Sequence, residues 1–176
     1  MNRAGVAGAA LLAALALTGP AVAAAPTGVT GAAPKISRSE EIARARTWLT
    51  ADHGRPVPYD QNHDWTDGWR EDCSGYVSMA LKLPKAGPNT VGLKNDGWTK
   101  PIPMSELKQG DLVIKADSDS SKRRHVVIFD RWTDARHTAY ESYEQAGGVG
   151  TRTHVHTYGL DAHDGYQAYH PVNLTD

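Results

Sequence analysis

Two different rhythms of apolar residues run along this chain, and they divide it into a helical half and a stranded half. From residue 37 the spacing is helical: Ile42, Ala45, Trp48 and Leu49 recur every three or four residues behind a Ser37–Glu40 capping box. Gly54-Arg55-Pro56 stops that helix, and residues 55–71 read as irregular, with Tyr59, Trp65 and Trp69 set among Asp, Asn and His. A second helix is predicted from Asp72 to Leu83. Asp72 serves as its N-cap, Cys73 lies in its first turn, and Val77, Ala80 and Leu81 share a buried face. Residues 84–105 hold four Pro and three Gly and read as a long connection. Beyond them the period falls to two. Strands are predicted at 111–114, 125–129, 138–143, 151–158 and 166–172. Helices first and about five antiparallel strands afterwards define an α+β fold.

The amino terminus follows neither rhythm. A short basic start at Arg3 precedes an Ala/Leu-rich run from Ala4 to Thr18, Pro20, and the small-x-small triplet Ala21-Val22-Ala23. This is the pattern of a secretory signal, expected to be cleaved after Ala23, and the run is too short to span a bilayer. Residues 24–36 read as a flexible leader and 37–176 as one domain, expected to be a monomeric, stand-alone unit outside the cell or at its wall.

Composition narrows the chemistry. The 176 residues carry a formal charge of −1, which lacks the basic footprint of a nucleic-acid binder. A single Cys rules out an internal disulfide and a four-Cys zinc knuckle. In an exported chain a lone Cys is either a buried small hydrophobe or a reactive thiol. Its neighbours favour the second reading. A thiol becomes a strong nucleophile as the thiolate, and a helix N-terminus favours that anion. Small residues at Ser74 and Gly75 let backbone N–H groups approach a substrate carbonyl. Among eight His, His125 opens an apolar strand and is therefore held rigidly, as a base must be. His154 and His156 share a strand face but need a third ligand, from Asp161 or His163, to hold zinc. His53, His63, His163 and His170 read as solvated. Trp65, Trp69 and Trp98 read as cover for a thin core, and Arg123-Arg124 as a solvated loop with a substrate carboxylate as the alternative partner.

Three blocks in order, Asp72-Cys73-Ser74-Gly75-Tyr76-Val77, Leu107-Lys108-Gln109-Gly110-Asp111-Leu112-Val113 and His125-Val126-Val127-Ile128-Phe129, resemble the signatures of NlpC-type cell-wall peptidases. These are papain-like cysteine peptidases, related to the CHAP amidases, and the resemblance spans about Ser39 to Pro171. It implies that Cys73 attacks an amide carbonyl, that His125 is base and then proton donor, and that the Cys73 N–H holds the oxyanion. It implies a Tyr lining the cleft, matched by Tyr59, with Asp72 and Ser74 also expected at the substrate. For the polar residue that orients the imidazole, Glu141 aligns best, with His137 and Glu144 as alternatives. The Trp-Gly-Gly that usually follows the cleft Tyr is replaced by Asp60-Gln61-Asn62-His63-Asp64-Trp65. The implied substrates are peptidoglycan stem peptides, cut between D-glutamate and a diamino acid, without metal or organic cofactor. A muramoyl-L-alanine amidase and a non-catalytic binding module are the alternatives.

Overall fold

The computed structural model describes Met1 and residues 33–176; the rest of the predicted signal and leader, residues 2–32, lies outside the described residues. The leader was expected to stay irregular through residue 36. Instead β1 (Ile36–Ser37) pairs in parallel with β10 (Leu174–Thr175), and Ile36 is buried in the core. Asn173 fastens the same join, donating to the carbonyls of Pro34 and Leu81.

Helix α1 (Arg38–Thr47) starts where predicted, with the Ser37 hydroxyl accepting from the Glu40 N–H at 3.2 Å. The reciprocal half of the capping box is replaced by an ion pair between Glu40 and Lys82. A polar hairpin, β2 (Asp60–Asp64) and β3 (Arg70–Glu71), follows in the stretch read as irregular. It has no apolar alternation to betray it. Helix α2 (Cys73–Ala80) is buried along its whole length rather than on one face.

The connection at 84–105 contains two unexpected elements, α3 (Thr90–Asn95) and β4 (Thr99–Ile102). Pro101 lies inside β4, which masks a strand pattern; it is tolerated because β4 is an edge strand. The predicted strands then appear as β5 (Leu112–Lys115), β6 (His125–Trp132), β7 (Tyr140–Ala146), β8 (Gly150–His156) and β9 (Gln167–Pro171). With β4 they form a six-stranded antiparallel sheet in the order β4-β9-β5-β6-β7-β8.

Both sheet faces are covered, which explains why β6 reads as a continuous apolar run. Leu112, Ile114, Val126 and Ile128 join Trp48, Tyr76, Val77 and Leu81 in the main core beneath the helices. Val113, Val127, Phe129, Tyr140 and Ala168 form a smaller cluster on the opposite face. Trp65, Trp69 and Trp98 pack, half-buried, on the rim of the main core.

The second sequence block is structural. Gly110 sits at φ +91°, and a Cβ there would come within 2.2 Å of the buried Glu41 carboxylate. Asp111, buried, accepts from the Lys108 N–H and pairs with Arg38 at 3.0 Å and His170 at 2.9 Å. It thereby ties α1 and β9 to the start of β5. His170, read as solvated, is one of its partners.

Candidate active site

Everything that fixes Cys73 belongs to the turn between β3 and α2. Asp72 adopts an extended conformation, and its Oδ1 accepts from the Gly75 N–H at 2.6 Å and from the Ser74 hydroxyl at 3.0 Å. The Tyr76 N–H bonds to the Asp72 carbonyl, which leaves the N–H groups of Cys73 and Ser74 outside the helix's own bonding. Arg70 clamps the turn from below. Its guanidinium donates to Asp72 Oδ2, to the Ser74 hydroxyl and to the carbonyls of Gly87 and Pro88. Asp72 and Ser74 were expected to touch substrate; here both are buried and their side chains are turned into this network. Gly75 is likewise needed for packing rather than for substrate access, because a Cβ would lie 2.1 Å from the Arg70 carbonyl oxygen. Cys73 ends up 5 % exposed, with its sulfur 3.7 Å from the Thr90 hydroxyl at the start of α3.

His125 is brought to Cys73 by β6. Its Nε2 lies 2.8 Å from Glu144 Oε2, which leaves Nδ1 for the thiol. Burial alone would lower the imidazole pKa, but the hydrogen bonds and negative charges of Cys73 and Glu144 outweigh it and raise it to about 9. Glu144, 1 % exposed, would be raised by burial; its hydrogen bonds with His125 and Arg152, with the His156 ring close by, instead hold it well below the usual carboxylate range. Arg152 Nε donates to its second oxygen, Oε1, at 2.7 Å. His156 Nε2 stands 3.2 Å from that oxygen without hydrogen-bonding geometry, and has no other partner among the described residues.

The imidazole's carboxylate partner is therefore Glu144 and not Glu141, which aligned best by sequence. The reason is strand parity. Side chains alternate across a strand, so residues three apart in β7 point to opposite faces. Glu141 sits opposite Arg131 in the sheet register and forms an ion pair with it at the surface. His137 lies in the β6–β7 turn at φ +58°, stacked on Trp132 with ring centres 4.1 Å apart. Continuing the Ile128–Tyr143 register by one residue places Glu144 beside Val127, on the face and one diagonal step from His125. A bulge in β6 between Phe129 and Arg131 sets that register. Counting regular pairs back from the turn would place Gln145 there. Gln145 is instead buried on the other face, where it donates to the Pro58 carbonyl and helps seat the 57–59 segment.

Tyr59 lies within electrostatic reach of Cys73 and Asp72. Burial raises its pKa, and the charges of Cys73 and Asp72 raise it further while Arg124 opposes them. Its hydroxyl accepts from Gln61 at 2.8 Å. Against the His125 ring stands an aromatic stack that the sequence does not signal. Tyr158 meets the His125 ring edge-on at 6.3 Å and stacks on His156 at 4.2 Å and on Tyr166 at 4.1 Å. The strands expected at 151–158 and 166–172 stop short of both residues: Tyr158 lies just after β8 and Tyr166 just before β9, and no pattern within either strand signals that they meet. His154 and His156 have ring centres 4.8 Å apart, and no cluster of three or more metal-ligating side chains occurs among the described residues.

Comparisons with known proteins support the fold. A scan of protein-family models gave no match, and no curated protein matched. A solved structure from Staphylococcus aureus, described as similar to a lipoprotein of the NLP/P60 family, superposes with a TM-score of 0.50 at 16 % identity. The alignment covers 81 % of this chain and 44 % of that one, so this chain spans less than half the length of its structural neighbour. The few helices and six-stranded antiparallel sheet are an NlpC/P60-like α+β fold. No helix among the described residues is long and apolar enough to cross a membrane.

Proposed function

We propose that the protein is an exported cysteine peptidase that hydrolyses amide bonds in peptidoglycan stem peptides, with Cys73 as nucleophile, His125 as base and proton donor, and Glu144 orienting the imidazole. One observation carries this reading: Cys73 at the first position of a buried helix faces an imidazole whose other nitrogen is fixed by a buried carboxylate. That is the nucleophile–base–orienter relay by which unrelated folds cleave amides. His125, having taken the thiol proton, stands as the imidazolium while the thiolate sulfur attacks the carbonyl carbon. The oxyanion is held by N–H groups at the start of α2. His125 then returns the proton to the leaving amine, and a water activated by the same imidazole releases the acyl group. The γ-bond between D-glutamate and a diamino acid is the bond the family resemblance favours.

The deciding experiment is mass spectrometry of purified muropeptides after digestion. Fragments differing by one hydrolysed peptide bond, absent with Cys73→Ala, are expected; uncut muropeptides with folded wild-type protein would defeat the reading. Cleavage between muramic acid and L-alanine would make it an amidase. In the same samples iodoacetamide should alkylate Cys73 faster than a model thiol near neutral pH.

A further inference from the structure

Beside His125 lies a cavity of about 270 Å³. Its walls are strongly basic in a chain whose formal charge is −1, so its sign is local and does not follow from the overall composition. Lys115, Lys122, Arg123 and Arg124 line it against one carboxylate, Asp117, and His125 and Tyr166 complete the lining.

Topology explains the concentration of charge. β5 and β6 form a hairpin in which Lys115 pairs directly with His125, and the loop joining them carries the other three cations. Like charges facing each other across a ladder are unfavourable. The described carboxylates compensate only in part. Asp117 stands 3.6 Å from Arg123, and Asp119 is 3.9 Å from Arg124. Lys115 is spent on the Asp164 carbonyl and lies over the Tyr166 ring. Among the described residues Lys122 has no carboxylate partner. The cavity therefore has an excess of positive charge that an anion of suitable size would neutralise.

The chemistry of His125 says which part of a substrate would arrive there. The group that hands a proton to the leaving amine must stand next to that amine, so the residue contributing the amine lies on the His125 side of the scissile bond. We propose that the Lys115–Arg124 cavity binds a free carboxylate on that amine-side residue, making the site selective for substrates in which it carries one. The inference rests on the peptidase reading for its direction, but its charge preference can be read without turnover.

The test uses two synthetic peptides of one sequence, with the amine-side residue's spare carboxylate either free or amidated. Binding to the full chain carrying Cys73→Ala is measured by calorimetry in 50 mM and 500 mM salt. The free acid should bind about tenfold more tightly in low salt, as one or two charge-assisted hydrogen bonds allow. That advantage should shrink in high salt and fall toward unity in Lys122→Ala/Arg123→Ala. Equal affinities, no binding of either peptide, or an advantage that survives the double substitution would overturn the carboxylate site. Hydrolysis by the unsubstituted chain is scored separately. A carboxylate preference without hydrolysis would defeat the peptidase reading alone, and hydrolysis indifferent to amidation would defeat the cavity alone.

Discussion

An imidazole that keeps its proton to about pH 9 beside a thiol is suited to stabilise a thiolate, and it gives the catalytic proposal a pH signature. The limb belongs to the Cys73–His125 pair rather than to either residue. Activity should hold through neutral pH and fall as the pH rises through about 9, where the imidazolium is lost. Glu144→Gln keeps the shape but removes a charge that raises the imidazole. A pH–rate profile of that variant should show the alkaline limb moved to lower pH and turnover down by about 100-fold or more. Glu141→Gln, at a carboxylate paired with Arg131 on the surface, should leave turnover unchanged; a loss there equal to that of Glu144→Gln would return Glu141 to the site. Cys73→Ala and His125→Ala should each abolish hydrolysis with the circular dichroism spectrum retained. Cys73 and His125 were legible in the sequence because each sits at a start, of a helix and of an apolar strand. Glu144 was not, because Tyr140-Glu141-Ser142-Tyr143-Glu144-Gln145 has polar residues on both faces and its register depends on a bulge in another strand.

At the scale of elements, the helix that presents Cys73 is held less by its own propensity than by the turn before it. Asp72 caps it, Arg70 joins that cap to the 87–88 backbone, and Gly75 lets the Arg70 carbonyl approach. Asp72→Ala should cost about 1–2 kcal/mol from the lost cap, with more from the stranded Arg70. In a domain of this size thermal melting should read each kcal/mol as a drop of about 2–4 °C. Gly75→Ala should be worse, since its Cβ meets backbone and not a movable side chain; a melting temperature within a degree of the parent would contradict the packing described. The Asp72 cap was readable from the sequence, because an Asp before an apolar helical period is a local signal. The hairpin β2–β3, α3 and β4 were not: the first is polar on both faces, and the others lie among prolines and glycines that usually mark loops.

At the scale of the whole molecule, one buried charge couples stability to pH. Glu41 on α1 is fully buried, both carboxylate oxygens lack hydrogen-bond partners among the described residues, and burial raises its pKa well above 4.5. A carboxyl raised on folding contributes most below its unfolded pKa, and stability is lost as the pH rises through the folded value. Denaturant melts should therefore show Glu41→Gln gaining on the parent between acid and neutral pH, with no gain near pH 4; a constant difference across that range would exclude the coupling. The amino-acid sequence by itself determined the α+β order, the capped helix that begins at Cys73 and the apolar strand that begins at His125, because those signals lie within one helix turn or one strand. Tertiary structure alone decided the partner of His125, the aromatic stack at Tyr158 and the placing of Lys115 beside the Lys122-Arg123-Arg124 run at one end of the β5–β6 hairpin. Each depends on register between strands, and register is set by a bulge, an edge and a buried face that no single segment contains.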